Sequence, residues 1–239
     1  MLSRTTAFTL LLITLLTAST FAGQTAHTFK HTAGGKEESI GYLLYLPKDH
    51  DTQKDQKFPV VLFLHGSGER GSDINKVKVH GPPKLIEKGK DLPFIVISPQ
   101  CPEKQWWNAT LLAALVDDVV KNHRGDSDRI ICTGLSMGGF GTWDLCTKFP
   151  DKFAAAVPIC GGGNPTTVSA MKKIPTWVFH GDKDTAVKID ASQKMVDALK
   201  AAGGNVEFTI YPGVGHDSWT KTYDDEKLWE WMGKQKRTK

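Results

Sequence analysis

The sequence predicts an α/β fold with a mostly parallel central sheet, helices on both of its faces and a pair of antiparallel strands at the N-terminus. After residue 57, short apolar runs alternate with stretches of helical period, which is typical of parallel sheets. Runs such as Phe58–Leu64 are apolar throughout, as in strands buried on both faces. The 239 residues, 40% of them hydrophobic, are enough for one domain with a sizeable core and too few for two.

Each element follows from a local pattern. An antiparallel pair is predicted on either side of the turn residues Gly34 and Gly35, at 28–32 and 39–46. Buried strands are predicted at Phe58–Leu64, 94–98, 130–135, 153–160, 176–180 and Val206–Tyr211. Helices are predicted at 84–88, 108–122, 140–149, 191–202 and 224–236, the first bounded by prolines and a glycine and the fourth closed by glycines.

The strand at 130–135 runs into a G-x-S-x-G motif, written GLSMGGFGTW at 134–143. A strand that turns at once into a helix forces the residue at the bend into a strained conformation, and side chains at Gly134 and Gly138 would collide with the neighbouring chain. The bend lifts the hydroxyl of Ser136 clear of the sheet. We therefore predict that Ser136 is a nucleophile and that the Met137 N–H is an oxyanion donor.

A serine nucleophile needs a base and an acid that orients the base. In sheets of this kind the chain order is serine, acid, histidine. His216 lies in a glycine-containing loop after the last strand and is the predicted base, whereas His180 ends a strand and is expected to face structure. Asp184 is the predicted acid because it lies in the middle of its loop. Asp182 is the alternative, and Asp217 is disfavoured as the immediate neighbour of the base.

The second oxyanion donor should come from the loop after the first central strand, HGSGERG at 65–71. Ser67 N–H is the predicted donor and Gly68 N–H the alternative. We expect Glu69 and Arg70 to pair with each other and fix this loop.

Composition excludes several other functions. The net charge of +4 comes from 30 basic and 26 acidic residues spread along the chain, so nucleic-acid binding is disfavoured. Cys101, Cys132, Cys146 and Cys160 have no zinc-site spacing, and no metal or other cofactor is predicted. The sequence leaves disulfide pairing and oligomeric state open.

The first 22 residues predict a secretory signal peptide. A positively charged start is followed by an apolar run at 7–17 and by small residues up to Ala22 and Gly23. The run is too short to span a bilayer comfortably. We expect a secreted or periplasmic protein without a stable membrane anchor, with residues 23–239 as a single catalytic domain.

These motifs, together with SPQCP at 98–102 and GHDSW at 215–219, resemble the α/β-hydrolases. Within them the chain is similar to the bacterial phospholipase/carboxylesterase-like and dienelactone-hydrolase-like serine esterases, near secreted feruloyl and acetylxylan esterases and polyhydroxybutyrate depolymerases. The resemblance implies an α/β-hydrolase fold, a triad of Ser136, Asp184 and His216, and a carboxylic-ester substrate.

One departure from many larger hydrolases indicates the kind of substrate. Only residues 161–174 separate two consecutive strands where those enzymes insert a helical lid, so no lid domain is expected. An open site suits short acyl chains or esters attached to a polymer, such as polysaccharide-linked esters. Trp107 and Trp219, with Trp106, are candidates for stacking on a sugar or aromatic ring or for packing at the rim.

The sequence thus predicts an exported serine esterase that forms an acyl-enzyme. Three alternatives remain open: a small serine peptidase, an acyltransferase, and a carbohydrate-binding module with a relic triad.

Overall fold

The structure is a computed structural model that describes residues 23–237. The predicted signal peptide at 1–22 lies outside the described residues. The strands are β1 Thr25–Ala33, β2 Lys36–Tyr45, β3 Phe58–Leu64, β4 Ile95–Pro99, β5 Gly125–Leu135, β6 Ala155–Ile159, β7 Thr176–Gly181 and β8 Val206–Tyr211. The α-helices are α1 Gly81–Glu87, α2 Ala109–Asn122, α3 Met137–Lys148, α4 Asp190–Ala201, α5 Trp219–Asp224 and α6 Glu226–Lys234.

The strands form one sheet in the order β1-β2-β4-β3-β5-β6-β7-β8. The β1–β2 and β2–β4 pairs are antiparallel, and every other pair is parallel. Gly34 and Gly35 join β1 to β2 with φ of 58° and 79°, the positive values that a two-residue hairpin turn of this type needs. The predicted sheet, with its N-terminal antiparallel strands, is confirmed.

The helices cover both faces of the sheet. On one face α2, α3 and α4 bury Leu115, Leu145 and Val196 against the strands. On the other face α1, α5 and α6 contribute a second cluster that includes Ile86 and Trp229. Because the strands from β3 to β8 run parallel to one another, their carboxyl ends meet at one edge of the sheet, where sheets of this kind bind ligands.

Two elements differ from the sequence prediction. Helix α5 lies between the histidine loop and the predicted last helix, where no element was predicted, and β5 begins at Gly125 rather than near residue 130. Between β6 and β7 the chain contains only the single turn Val168–Met171, so no helical lid is inserted at this point. Within residues 23–237, no helix is both long enough and apolar enough to cross a membrane.

Candidate active site

Ser136 lies at the bend between β5 and α3. Its backbone adopts φ 51° and ψ −115°, which a non-glycine residue rarely occupies. The close approach of the neighbouring chain explains the flanking glycines: a Cβ at Gly138 would lie 1.9 Å from the Leu64 carbonyl oxygen, and one at Gly134 would lie 2.4 Å from the Gly138 carbonyl oxygen. The bend therefore requires glycine at both positions.

The structure brings Ser136, His216 and Asp184 into one hydrogen-bonded chain. His216 Nε2 lies 3.0 Å from Ser136 Oγ, and His216 Nδ1 lies 2.7 Å from Asp184 Oδ2. The Asp184 side chain is fully buried, whereas 27% of the His216 side chain is exposed. Since the Asp184 carboxylate accepts a hydrogen bond from the Nδ1–H group, Nε2 carries no proton and is free to accept one from the serine hydroxyl.

The surroundings of Asp184 keep it ionised. Burial by itself would raise the pKa of this carboxyl, but the hydrogen bond from His216 and those from the Val187 and Ala186 N–H groups outweigh burial, so its pKa lies below the usual value. A carboxylate that stays charged can hold the imidazole in one tautomer and stabilise it when it is protonated.

The two alternative acids have other partners. Asp182 Oδ1 accepts a hydrogen bond of 2.7 Å from the Gly213 N–H and so ties the acid loop to the histidine loop. Asp217 accepts bonds from the Thr220 N–H and hydroxyl. Of the three aspartates, Asp184 is the one hydrogen-bonded to His216.

The loop at 65–71 lies beside the serine. A Cβ at Gly66 would lie 3.7 Å from the Ser136 Cβ. His65 is fully buried, and its Nε2 accepts a hydrogen bond of 3.0 Å from the Cys101 N–H, so its Nδ1 carries the proton and donates to the Gly66 carbonyl oxygen at 2.6 Å. Because a trans peptide points its C=O and N–H in opposite directions, this bond also fixes the direction of the Ser67 N–H.

Other side chains hold the same loop, in a way that differs from the predicted pair. Arg70 donates to the Ser67 and Gln105 carbonyl oxygens rather than pairing with Glu69. Glu69 is buried, with a carboxylate oxygen 3.9 Å from His65 Nδ1. Gln100, for which no role was predicted, donates to the carbonyl oxygens of Glu69 and Asp73.

Met137 is the first residue of α3, so its N–H belongs to the end of a helix where backbone donors lack partners within the helix. Ser67 begins a short turn at Ser67–Glu69 and is exposed. Of the two predicted oxyanion donors, Met137 therefore lies at the N-terminus of α3 directly after Ser136, and Ser67 lies in the loop after β3.

The three tryptophans that the sequence analysis singled out differ in exposure and in contacts. Trp107 and Trp219 are each 9% exposed; Trp107 packs edge-on against His65, and Trp219 packs edge-on against His216 with a centroid distance of 5.2 Å. Trp106 is 65% exposed and contacts the ring of Phe140. It lines a cleft of about 240 Å³ between the loop after β4, helix α3 and the loop after β6.

One group of potential metal ligands occurs among residues 23–237. The donor atoms of Cys160, Asp184 and His216 lie within 4.8 Å of one another. Burial raises the pKa of the Cys160 thiol to about 12, and the Asp184 carboxylate is already bonded to His216. A metal ion here would have to deprotonate that thiol and compete for the carboxylate, so these residues do not form a prepared metal site.

The sheet order and the serine at the strand-to-helix bend define the class: this is a protein of the α/β-hydrolase fold. Residues 103–231, more than half of the chain, match the family model described as the dienelactone hydrolase family. The chain belongs to that family.

Several known proteins resemble the chain. A solved structure described as a thermostable esterase is 34% identical with a TM-score of 0.74, and the alignment covers 89% of this chain and 63% of that one. Carboxylesterase SOBER1 of Arabidopsis thaliana is 31% identical over 133 residues, covering 53% of this chain and 58% of the relative. An endo-1,4-beta-xylanase/feruloyl esterase of Xylanibacter ruminicola is 27% identical over 80% of this chain. The chain spans 58% and 28% of the length of these two curated relatives.

Proposed function

We propose that this protein is a serine ester hydrolase that forms an acyl-enzyme on Ser136. The observation that carries the proposal is the continuous hydrogen-bonded chain from Ser136 Oγ through His216 to Asp184, with contacts of 3.0 and 2.7 Å. The esterases among its relatives support the same chemistry.

In the proposed reaction, His216 Nε2 accepts the Ser136 hydroxyl proton as Oγ attacks the ester carbonyl carbon. The N–H groups of Ser67 and Met137 stabilise the oxyanion. His216 then donates the proton to the departing alcohol, and the acyl group remains on Oγ. Water then attacks the acyl carbon while it gives a proton to His216, and His216 passes that proton to Ser136 Oγ as the bond to the acyl group breaks and the acid leaves. Asp184 orients His216 throughout, and no metal or organic cofactor takes part.

The substrate we propose is a short-chain or polysaccharide-linked ester. The short 161–174 segment leaves the site without a helical cover between β6 and β7. The cleft beside Trp106 offers an exposed aromatic face, with polar groups such as Asn164 and Thr167 along its lining. Aromatic faces combined with polar side chains suit a ring that carries hydroxyl groups. Trp107 and Trp219 would hold the site in place by packing on His65 and His216.

We also propose that residues 1–22 direct export and that residues 23–239 form the catalytic domain. The charge and hydropathy pattern of the N-terminus supports this. Expression of the full chain in a bacterium, followed by N-terminal sequencing of the periplasmic or secreted product, tests it. A protein retained in the cytoplasm with an intact N-terminus would contradict it.

The test of the reaction compares p-nitrophenyl acetate, butyrate and octanoate, with methyl ferulate and acetylated xylan in parallel, on the protein and on Ser136→Ala. We expect activity that falls with acyl chain length and is lost in the variant. Ser169→Ala changes an exposed serine in the turn Val168–Met171 and should retain full activity. A fluorophosphonate probe should label the parent and Ser169→Ala on Ser136.

Two results would point to the alternatives. Turnover of amide analogues as fast as their esters would indicate a peptidase. Polysaccharide binding that survives in Ser136→Ala, with no turnover of any ester by the parent, would indicate a binding module.

A further inference from the structure

His180 is a buried histidine that the proposed reaction does not use, and it contacts the predicted acid. It lies in β7 and is fully buried. Its Nε2 lies 3.1 Å from Asp184 Oδ2 and 2.8 Å from the Val187 carbonyl oxygen. Its Nδ1 lies 2.8 Å from the hydroxyl oxygen of Ser192 on α4. Asp184 Oδ2 is therefore next to two imidazole rings, those of His216 and His180.

The partners of Nε2 determine one ring proton. A carbonyl oxygen can only accept a hydrogen bond, and the ionised Asp184 carboxylate also only accepts. Neither Val187 O nor Asp184 Oδ2 can supply a proton to the ring. Nε2 of His180 must therefore be a donor.

The partners of Nδ1 determine the second ring proton. Ser192 has one hydroxyl proton, and its Oγ lies 2.7 Å from the Gly161 carbonyl oxygen, which can only accept. If the hydroxyl donates to Gly161, Nδ1 must donate to Ser192. If instead the hydroxyl donated to Nδ1, two buried oxygens would face each other at 2.7 Å with no proton between them, which is costly in a protein interior. All four contacts are satisfied only when both ring nitrogens carry protons.

A doubly protonated imidazole is a buried cation and needs a counter-ion. The Asp184 carboxylate, with a side chain as fully buried as that of His180, supplies it. The other titratable groups near this pair are His216, from the loop after β8, and the thiol of Cys160, at the end of β6. Burial raises the pKa of Cys160 to about 12, so the thiol adds no charge.

We propose that His180 is a positioning residue: it carries both ring protons and holds Asp184 as one half of a buried ion pair. This rests on the proposed function only in taking Asp184 as the acid that orients His216. The cation beside Asp184 offsets part of the carboxylate charge that would otherwise stabilise protonated His216. His180 thereby limits how strongly Asp184 stabilises protonated His216, the form that cannot accept the Ser136 proton.

The first test is NMR of the ring nitrogens in protein labelled with ¹⁵N-histidine. It is made on the Ser136→Ala variant, so that the result does not depend on catalytic activity. With the His180 signals assigned through its backbone, we expect both ring nitrogens to be protonated between about pH 6 and 8. A ring with a single protonated nitrogen at neutral pH would overturn the proposal. This measurement decides the matter even if the protein hydrolyses no ester, in which case the proposed function alone would fail.

The second test is the pH dependence of kcat/KM for p-nitrophenyl acetate. In His180→Gln the acidic limb should move to higher pH by about half a unit or more, equivalent to an about threefold loss on the acidic side. His50→Gln replaces another buried histidine, one bonded to the His123 carbonyl oxygen, and should leave the limb where it is. An active His180→Gln variant with an unmoved acidic limb would show that His180 has only a structural role.

Discussion

The arrangement of His65 shows how one side chain can determine the direction of a backbone donor. Its Nδ1–H holds the Gly66 carbonyl while its Nε2 accepts from Cys101 N–H, so the neutral ring joins two loops. In His65→Gln the donor and the acceptor no longer sit on a rigid ring, so the Gly66 carbonyl oxygen is held less firmly. We expect kcat to fall by about tenfold to a hundredfold with little change in KM, because the oxyanion exists only after the attack on the substrate.

Steady-state kinetics on p-nitrophenyl acetate check this expectation, with His50→Gln as the control for loss of a buried histidine. An unchanged kcat in folded His65→Gln would mean that the Gly66–Ser67 peptide keeps its direction without the ring.

The backbone of Ser136 leads to a prediction about stability. Its φ of 51° and ψ of −115° cost a non-glycine residue about 1–3 kcal/mol, which glycine avoids at a smaller entropic cost. Ser136→Gly and Ser136→Ala both remove the hydroxyl, but only glycine relieves the strain. We expect the free energy of unfolding of Ser136→Gly to exceed that of Ser136→Ala by about 1 kcal/mol. Urea unfolding of the two variants measures this; equal midpoints with equal slopes would show that the bend is not strained.

At the scale of elements, the loop after β4 is the part most suited to contact a large substrate. Trp106 is 65% exposed beside the cleft of about 240 Å³, while its neighbour Trp107 is buried. In Trp106→Ala the KM for an acetylated xylo-oligosaccharide should rise about threefold to tenfold, the value of one aromatic contact. Kinetics on p-nitrophenyl acetate, which carries no sugar ring to contact Trp106, should not change. Ile210→Ala, on β8, removes another exposed apolar side chain and is the control.

A rise in KM for both substrates would show that Trp106 helps to hold the catalytic residues in place. An unchanged KM for both would show that the cleft does not bind substrate.

The elements themselves could largely be predicted from sequence, because buried strands and amphipathic helices have distinct periods. Helix α5 was missed because it is only six residues long and its residues read as a continuation of the histidine loop. The early start of β5 was missed because residues 125–129 are mostly polar and lack the apolar pattern of the rest of the strand.

Some side chains of the site could likewise be predicted from the sequence, and others could not. The positions of Ser136, Asp184 and His216 were predicted because each follows a strand, and the carboxyl ends of parallel strands meet at one edge. The contacts of Gln100 and of His180 were not predictable. Gln100 reaches carbonyl oxygens 27 and 31 residues away, and the partners of His180 lie 4, 7 and 12 residues further along the chain, in the loop after β7 and on α4. Only the folded chain brings such groups together.

For the whole molecule, the burial of His65 links folding to pH. Burial lowers the pKa of His65 to about 4 from its ordinary value of 6.5, so between these values the unfolded chain binds a proton that the folded protein excludes. The contribution of His65 to stability is therefore full above about pH 6.5 and is lost as the pH drops towards 4, a change on the order of 3 kcal/mol for a shift of this size. The pKa of His123 is also lowered, mainly by burial, and acts in the same direction. Asp184, whose pKa is lowered from 3.8, loses its contribution only below that range.

Urea unfolding of Ser136→Ala at a series of pH values between about 4 and 7 measures this slope without interference from turnover. In a His65→Gln, Ser136→Ala double variant, most of the slope should disappear, whereas His50→Gln in the same background should retain it. A slope as steep without His65 as with it would mean that other groups take up the protons. Above pH 6.5 the ring is neutral in both the folded and the unfolded chain, and its bonds to Gly66 and Cys101 hold the loops; below that pH the folded protein must exclude a proton, so the same residue that orients the proposed oxyanion donor should also set the acid limit of the fold.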